Sequence, residues 1–211
     1  MCGIVGFTGA DQAAPILLDG LAKLEYRGYD SAGLAVQNAA GKIEVVKAKG
    51  RLRVLSDMTD GGRAVQGTCG IGHTRWATHG EPSVQNAHPH YSRDEKIAVV
   101  HNGIIENYQE LKDRLVNRGY TFTSQTDTEV VAQLIDYYYT GEAAGDPLGA
   151  ITRMMLHVRG SYALGVLFAD CPGVVYAVRK DSPLIVGRAE TGNLIASDVP
   201  ALLKYTRTVY Y

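Results

Sequence analysis

The sequence predicts an α+β fold in which most strands pair antiparallel. Segments with strand character lie towards both ends of the 211 residues, and segments with helical character lie in the middle. Neighbouring strand segments are separated by short turns, such as the one around Gly41. Short turns join antiparallel strands, whereas parallel strands need long crossovers. This grouping favours an α+β class over a doubly wound parallel sheet.

The first half of the chain is predicted to contain five strands and two helices. A helix over 13–24 has Pro15 in its first turn and places Leu17, Leu21 and Leu24 on one face. A shorter helix is predicted over 51–60. The strands are predicted over 2–8, 31–37, 43–49, 70–76 and 96–102.

The second half is predicted to begin with helices and to end with strands. A helix over 106–118 stops at Gly119, and the sequence TDTE at 126–129 is a capping box for a helix over 127–139. Asp146 and Pro147 begin a third helix, whose apolar side is predicted to hold Leu148, Ile151, Met155 and Val158. Further strands are predicted over 162–169, 174–179, 184–186 and 194–196, with a short helix over 199–204. The apolar, strand-like ending at 208–211 predicts that the chain is a piece of a longer polypeptide.

Composition narrows the class of protein. The length fits one large domain or two small ones. Lys and Arg number 21 against 22 Asp and Glu, so the net charge of -1 favours neither nucleic acid nor an anionic membrane as a partner. No apolar run approaches the roughly 18 residues of a membrane span, and the first residues lack the features of a secretory signal. Three cysteines are typical of reduced thiols in the cytoplasm.

Cys2 is a candidate nucleophile because removal of Met1 would make it the first residue. Its α-amino group would then have a pKa of about 7.7–8.0, which suits a general base for the neighbouring thiol. One residue would supply both nucleophile and base. Taken alone, however, a cysteine at this position is more often a small apolar residue of a first strand.

The segment 72–80 contains a candidate for binding an anion. Arg75 is predicted at the end of a strand, where its planar guanidinium can bind both oxygens of a substrate carboxylate. Trp76 beside it can form the wall or gate of a pocket. The alternative is an arginine in a surface ion pair next to a tryptophan in the core.

Further candidate site residues are the pair Asn102 and Gly103, and Asp127. Asn102 and Gly103, predicted at the end of a strand, can offer a side-chain amide and a backbone N–H to a tetrahedral oxyanion. The alternative is an ordinary Asn-Gly turn. Asp127 is a candidate partner for a substrate ammonium, and the alternative is a carboxylate that favours the helix dipole.

Five histidines fall between positions 73 and 101, and such crowding raises the question of a metal site. They are His73, His79, His88, His90 and His101. They lie on predicted loops and strand ends of unlike phase, without an H-x-x-x-H helix or a C-x-x-C pair. The sequence therefore predicts no metal and no other cofactor. Cys69 and Cys171 are predicted to be core thiols.

The motifs together resemble the glutaminase domain of the class II glutamine amidotransferases, in particular that of the glutamine–fructose-6-phosphate aminotransferases (glucosamine-6-phosphate synthases). They occur in the order of that family and span most of the chain. They are MCGIVG at 1–6, YRGYDSAG at 26–33, GHTRWATHG at 72–80, NAHPH at 86–90, VHNGIIENY at 100–108 and TDTEV at 126–130.

The resemblance implies roles for the residues that chemistry suggested. Cys2 would form a γ-glutamyl thioester, and Asn102 with the N–H of Gly103 would form the oxyanion hole. Arg75 would bind the α-carboxylate of glutamine and Asp127 its α-ammonium.

The resemblance also implies supporting residues. Thr78 and His79 would line the end of the site that holds the α-groups. Arg27 would help to hold the region of Cys2, and Trp76 would lie at the mouth of an ammonia passage. His88 belongs to a loop motif of the family.

The family fold is a four-layer αββα sandwich of N-terminal-nucleophile hydrolases, with two antiparallel sheets, and residues 1–211 would form one such domain. In full-length members, sugar isomerase domains use the ammonia to convert fructose 6-phosphate to glucosamine 6-phosphate. The resemblance thus implies L-glutamine as substrate, no cofactor, a cytoplasmic location and a full-length homo-oligomer.

Other functions remain open from the sequence. The sequence also fits another class II amidotransferase or another amide hydrolase with an N-terminal nucleophile. A module that senses glutamine without turning it over is a further alternative. The presence of Cys2, Arg75, Asn102 and Asp127 together argues against that module.

Overall fold

The computed structural model describes residues 2–211, and within them five α-helices and eleven strands form four layers. The helices are α1 (Ala13–Ala22), α2 (Leu52–Met58), α3 (Tyr108–Val116), α4 (Thr128–Thr140) and α5 (Pro147–His157). The strands are β1 (Gly3–Gly9), β2 (Ser31–Gln37), β3 (Ile43–Lys49), β4 (Cys69–Arg75), β5 (His90–Tyr91), β6 (Ile97–Ile105), β7 (Gly160–Phe168), β8 (Tyr176–Lys180), β9 (Ile185–Arg188), β10 (Gly192–Ala196) and β11 (Val209–Tyr210). Met1, whose removal is predicted, lies outside the described residues.

The strands form two sheets in which all neighbouring strands run antiparallel. The seven-stranded sheet has the order β11-β9-β10-β1-β4-β2-β3, and the four-stranded sheet has the order β5-β6-β7-β8. The strand that follows Cys2 is therefore central in its sheet, between β10 and β4. The predicted α+β class with two antiparallel sheets is confirmed.

Alternation of side chains along the strands produces the layers, because successive residues of a strand face opposite sides of its sheet. In β1, Val5 and Phe7 pack against α1, whereas Ile4 faces the second sheet. In β6, Ile97 and Val99 pack against the helices of the other side. The core between the two sheets is formed by the opposite set of strand side chains, which includes Ile4, Ala35, Ile71, Ala98, Val100, Ala163 and Leu167.

Each outer layer consists of the helices nearest in sequence to the strands that they cover. Helices α1 and α2 lie on the seven-stranded sheet, and α3, α4 and α5 lie on the four-stranded sheet. The structure thus has helix, sheet, sheet and helix layers, as expected for the four-layer sandwich. No helix within residues 2–211 has the length and apolar character that crossing a membrane requires.

Several predicted elements differ in detail from the observed ones. The strand predicted over 96–102 continues to Ile105, since Gly103 remains paired with Tyr162 of β7 despite its φ of +123°. The Asn-Gly pair therefore lies within a strand and is not a turn at its end. The two-residue strand β5 was not predicted, because its length is too short for an alternating pattern.

The predicted capping box at the start of α4 is half formed. The hydroxyl of Thr126 accepts the N–H of Glu129 at 3.4 Å, as predicted. The Glu129 carboxylate does not return to Thr126, whose own N–H donates to Ser124 Oγ. It accepts instead the N–H groups of Thr123, at 2.8 Å, and Ser124, at 2.6 Å. Glu129 thereby holds the loop that leads into Asp127.

Helix α5 begins as predicted, because the Asp146 carboxylate accepts the N–H of Leu148 at 3.1 Å. Its buried side was wrongly assigned: Leu148 and Met155 are exposed, and the buried residues are Ala150, Ile151, Met154 and Val158. Ile151 and Val158 are buried as predicted, and Met154 takes the place predicted for Met155. Tyr138 and Tyr139 near the end of α4 are also buried.

Candidate active site

A small cavity at one end of the two sheets collects most of the predicted site residues. It is lined by Cys2, Arg75, Trp76, Thr78, His79, His88, His101, Gly103, Thr126, Asp127 and Thr128. They come from the residue before β1, from β4 and β6, from the segment after β4 and from the start of α4. The cavity volume is about 30 Å³, which suits one water-sized molecule. Binding of an amino acid therefore requires the cavity to widen.

Cys2 lies immediately before β1, with its thiol against the backbone of Trp76. Its Sγ accepts the Trp76 N–H at 3.2 Å and lies 3.6 Å from the Trp76 carbonyl oxygen. Burial raises the pKa of the Cys2 thiol, and the Trp76 N–H offsets only part of that effect. The thiol is therefore protonated near neutral pH and needs a base before it can attack.

Gly3 permits the close packing that places Cys2. A Cβ atom at position 3 would lie 2.7 Å from Leu24 Cβ and 2.7 Å from Thr74 Oγ1. A side chain at position 3 would push β1 away from β4. The position of the Trp76 backbone depends on β4, because Trp76 directly follows that strand. The lack of a side chain at position 3, directly after the candidate nucleophile, thus has a steric explanation.

Asn102 and Gly103 lie near Cys2 because β6 of the second sheet faces β1 of the first. Asn102 Nδ2 donates to the Cys2 carbonyl oxygen at 3.0 Å, and its Oδ1 faces His73 Nε2 at 3.0 Å. A Cβ at Gly103 would lie 2.1 Å from the Ser161 carbonyl oxygen, so only glycine fits this position. The arrangement brings a side-chain amide and a glycine backbone to the nucleophile, as an oxyanion hole requires.

Arg75 is a buried cation without an anionic partner. Only 4% of the residue is exposed, and its guanidinium donates to the carbonyl oxygens of His79, Gly80 (3.0 Å) and Glu81 (3.3 Å). Within residues 2–211, no Asp or Glu carboxylate lies within 4.0 Å of it. Neutral carbonyls hold the guanidinium without cancelling its charge, which leaves the cavity suited to a carboxylate.

Asp127 supplies the opposite charge at the same cavity. The residue is 6% exposed, and its Oδ2 accepts the N–H of Ile105 at 2.8 Å. In the part of the chain that the structure describes, no Lys or Arg forms an ion pair with it. Asp127 is the N-cap residue of α4, but its side chain accepts no hydrogen bond from its own helix. Its position instead suits a cationic ligand.

The remaining predicted residues fall into two groups. Thr78 and His79 line the cavity, and the His79 ring packs edge-on against Tyr108 with centroids 5.4 Å apart. Trp76 also lines it, with 47% of the residue exposed and its indole packed edge-on against Tyr29. Trp76 is therefore not a core tryptophan.

Arg27 lies outside the cavity and forms an ion pair with Asp198 at 2.5 Å. The preceding Ser197 accepts the N–H of Ile4 with its Oγ at 3.0 Å. Arg27 is therefore linked to the region of Cys2 through the 197–198 segment and β1.

Asp30 is a site residue that chemical reasoning from the sequence missed. Its Oδ2 accepts the N–H of Ala77, its Oδ1 accepts the Ser31 hydroxyl at 2.9 Å, and its N–H donates to the Arg75 carbonyl oxygen at 3.2 Å. Asp30 thus fixes the chain on both sides of Trp76. The sequence signal for Asp30 was its place in the motif at 26–33. Its charge alone did not distinguish it from a surface carboxylate.

Four of the five crowded histidines form a buried cluster behind the cavity. The His73 and His88 rings stack at 4.1 Å, His88 and His101 at 6.5 Å, and His88 meets His90 edge-on at 4.9 Å. Burial lowers the pKa of His73 to about 3, and it lowers the pKa values of His88, His90 and His101 as well. Burial thus favours the neutral form of these rings, and within residues 2–211 no three His, Cys, Asp or Glu side chains are placed so that they could hold a metal ion.

Two larger cavities, of about 300 and 430 Å³, adjoin Lys47 on the other side of β5. Burial lowers the Lys47 pKa to about 8, and its ammonium donates to the Gln85 carbonyl oxygen at 3.3 Å. Neither cavity is lined by a thiol or by any of the predicted site residues. Volume alone therefore does not locate the chemistry.

Comparison with known proteins connects this geometry to a family. The profile of the glutamine amidotransferase domain matches residues 73–204. The glutamine--fructose-6-phosphate aminotransferases [isomerizing] of Caldanaerobacter subterraneus subsp. tengcongensis and Clostridium acetobutylicum are 58% and 57% identical over 211 residues. The match covers 100% of this chain and 34% of each relative, so the chain spans about a third of their length.

A solved structure shows the same fold. The glutamine phosphoribosylpyrophosphate amidotransferase of B. subtilis, complexed with ADP and GMP, superimposes with a TM-score of 0.83 and 26% identity. The match covers 97% of this chain and 44% of that one.

Proposed function

The chain belongs to the glutamine amidotransferase family, and from that premise we propose that it hydrolyses L-glutamine to glutamate and ammonia with Cys2 as nucleophile. Residues 1–211 then act as one glutamine amidotransferase domain. The observation that carries the proposal is the convergence of a thiol, an unneutralised buried cation and a buried carboxylate at one cavity.

The charges match the α-groups of a free amino acid. Arg75 binds the α-carboxylate and Asp127 the α-ammonium, so a zwitterion completes two charges that the protein buries without partners. Thr78 and His79 line the same cavity and contact these groups. The side-chain amide then extends towards Cys2 and Asn102.

The reaction requires a base for the buried thiol. Both hydrogen-bond partners of Cys2 Sγ within the described residues are backbone groups of Trp76. With Met1 removed, the α-amine of Cys2 takes the thiol proton while Sγ attacks the amide carbon. Asn102 Nδ2 and the Gly103 N–H stabilise the oxyanion, and the proton passes to the leaving nitrogen as ammonia forms. Water attacks the γ-glutamyl thioester, gives up a proton to the amine, and releases glutamate and the thiol.

A longer protein would use the ammonia for synthesis. The relatives named glutamine--fructose-6-phosphate aminotransferase [isomerizing] are about three times as long as this chain. We infer that the chain works with sugar isomerase domains that convert fructose 6-phosphate to glucosamine 6-phosphate, in a cytoplasmic homo-oligomer. Trp76, half exposed at the edge of the cavity, is then placed at the mouth of the ammonia passage.

The test of this function is glutamate release by the purified 211-residue chain, after intact mass has shown that Met1 is absent. Glutamine should be hydrolysed and asparagine, which is one methylene shorter, should react at least about tenfold more slowly. Tight binding of glutamine without glutamate release would favour the sensing module. Equal rates on both amides would favour a general amide hydrolase.

Asp127→Asn is expected to raise the KM for glutamine by roughly 10- to 100-fold, because it removes the charge that meets the α-ammonium and keeps the shape. For a glutamine analogue that lacks the α-amino group, the increase in KM caused by Asp127→Asn should be less than about threefold. Asp136→Asn is the matched control, since it neutralises a buried carboxylate of the same helix that accepts the Tyr120 hydroxyl at 2.9 Å and lines no part of the cavity. An unchanged KM for Asp127→Asn would remove Asp127 from the site.

A further inference from the structure

We propose that His73 is a positioning residue for the oxyanion hole: it fixes which end of the Asn102 side-chain amide faces Cys2. This inference rests on the proposed function, in which Asn102 stabilises the oxyanion. His73 lies in β4 of the seven-stranded sheet, and Asn102 lies in β6 of the other sheet. The contact therefore crosses between the two sheets at the end that holds the nucleophile.

The hydrogen-bond pattern determines the proton of His73. Its Nε2 lies 2.9 Å from the His101 carbonyl oxygen, which can only accept a hydrogen bond. Nε2 therefore carries the proton. The same Nε2–H lies 3.0 Å from Asn102, so the atom that faces it must be the acceptor Oδ1.

The other end of the Asn102 amide is determined in the same way. Its Nδ2 donates to the Cys2 carbonyl oxygen at 3.0 Å. A 180° flip of the amide would place oxygen against the Cys2 carbonyl and N–H against the His73 N–H. It would also bring a negative dipole end, instead of a donor, to a developing oxyanion. His73 excludes that orientation from one side and Cys2 from the other.

Packing keeps His73 in this state. The residue is fully buried, its ring stacks on His88 with centroids 4.1 Å apart, and β4 is paired on both sides, with Ile4 and Gly33 opposite His73. Its Nδ1 has no hydrogen-bond partner within residues 2–211 that would favour the other tautomer. Burial also keeps the ring neutral over the working pH range.

The first test is kinetic and uses the chain with Met1 removed. His73→Leu should lower kcat for glutamine by roughly 10- to 100-fold and change KM less than about threefold. The reason is that the Asn102 amide, which His73 orients, acts on the oxyanion and not on the α-groups. Alkylation of Cys2 by iodoacetamide should keep its wild-type rate. His73→Gln, whose amide N–H can replace Nε2–H, should recover at least about tenfold of the lost kcat. Equal losses in His73→Leu and His73→Gln would overturn the proposal.

A double-mutant cycle shows whether His73 acts through Asn102. Asn102→Ala alone should lower kcat by about 10²–10³-fold. In that background, His73→Leu should cause no further loss, because no amide remains to be oriented. Losses that multiply in the double variant would show that His73 acts elsewhere. Ile71→Val, a trimming of the inter-sheet core in the same strand, is the stability control and should keep wild-type kcat.

A spectroscopic test does not depend on activity. In the wild-type chain, long-range ¹H–¹⁵N correlation should show His73 with a protonated Nε2 and an unprotonated Nδ1, and the reverse tautomer would overturn the proposal. The Asn102 side-chain amide, assigned by its loss in Asn102→Asp, should exchange slowly in the wild type and faster in His73→Leu than in Ile71→Val. If the wild-type chain hydrolyses no glutamine, the proposed function fails, while these spectra still decide the orientation of Asn102.

Discussion

Replacing Cys2 with alanine is expected to lower kcat for glutamine hydrolysis by at least about 10⁴-fold, which is the scale seen when a covalent nucleophile is deleted. No other thiol replaces it: Cys69 and Cys171 do not line the cavity. The remaining groups can still orient glutamine and polarise its amide, but they offer no atom that forms the thioester. The measurement is single-turnover and steady-state glutamate release by the two proteins.

Glutamine binding should survive the same substitution. Arg75 and Asp127 contact the α-groups and are unaffected by loss of Sγ, so Cys2→Ala should still gain stability from glutamine. At a glutamine concentration of 100 Kd, the expected gain in the free energy of unfolding is about 2.7 kcal/mol. A Cys2→Ala protein that no longer binds glutamine would show that the cavity had collapsed, and its lost activity would then prove nothing about the nucleophile.

A second control separates the thiol from the α-amine. A form of the chain that keeps Met1 has the same thiol but no amine on Cys2, and burial raises the thiol pKa. It is expected to be as inactive as Cys2→Ala towards glutamine. Full activity with Met1 still attached would contradict the proposed base.

The local pairing of neighbouring strands was predictable from the sequence, but the order of the strands in the sheets was not. The turn around Gly41 and the alternating residues beside it predicted the pair of β2 and β3, which is observed with Ser31 opposite Lys49 and Gln37 opposite Ile43. Such local pairing depends on neighbours in sequence. The position of β1 between β10 and β4 depends on partners up to 193 residues away in sequence, as with Ile4 and Ser197, and no local pattern encodes it.

Asn102 and Gly103 show where local reasoning stops. An Asn-Gly pair usually predicts a turn, yet here it is part of a nine-residue strand because pairing with β7 continues past it. The chemistry proposed for the pair depends on the opposite sheet, which supplies Cys2 and His73. The resemblance to a family named Asn102 and Gly103, whereas His73 could be singled out only once the two sheets were placed together.

The histidines show that local sequence does not predict protonation states either. Their crowding in sequence invited a metal hypothesis, and their phase argued against it, but neither observation showed that four of them stack in a buried cluster. Burial depends on the helix layer and on the segment that holds His88 and His90. The sequence alone therefore did not predict the pKa values of these four histidines, because the burial that favours their neutral form is a result of the tertiary fold.

This cluster leads to a second large effect: between pH 7.5 and pH 5.5 the chain is expected to lose up to about 1.4 kcal/mol of unfolding free energy for each buried histidine, given an ordinary unfolded pKa near 6.5. His73, His88, His90 and His101 all have folded pKa values below the ordinary one because burial disfavours the charged ring. Each binds its proton more readily in the unfolded chain. Their contribution is therefore fully present above the unfolded pKa and is lost as the pH falls below it.

The charges that face the cluster act in both directions. Arg75 and Lys47 further disfavour protonation of His90, and Arg75 acts likewise on His73 and His88. Asp127 favours protonation of His101 without overcoming burial. Hydrogen bonds from Tyr26 and Arg27 lower the pKa of Asp198, so its stabilising contribution is lost only below the ordinary aspartate range and does not change over this interval.

The measurement is urea unfolding at several pH values, with the slope of the unfolding free energy against pH giving the protons taken up. A slope that approaches three to four protons below pH 6 is expected, and His90→Phe should lower it by about one proton because one titrating ring is removed. A slope of one proton or less would contradict the neutral cluster. Since a typical domain has only about 5–15 kcal/mol of stability, the chain should unfold cooperatively near pH 5.

Activity should therefore fall on the acid side in two separable stages. The first is reversible and follows protonation of the Cys2 α-amine, whose ordinary pKa is about 7.7–8.0, while the free energy of unfolding stays nearly constant. The second coincides with unfolding and follows the histidines. His90→Phe should shift only the second stage to lower pH, because His90 contacts Thr126 through Nε2 and does not contact Cys2. If both stages move together, the amine is not the base that limits the reaction, and the buried rings themselves would control the chemistry.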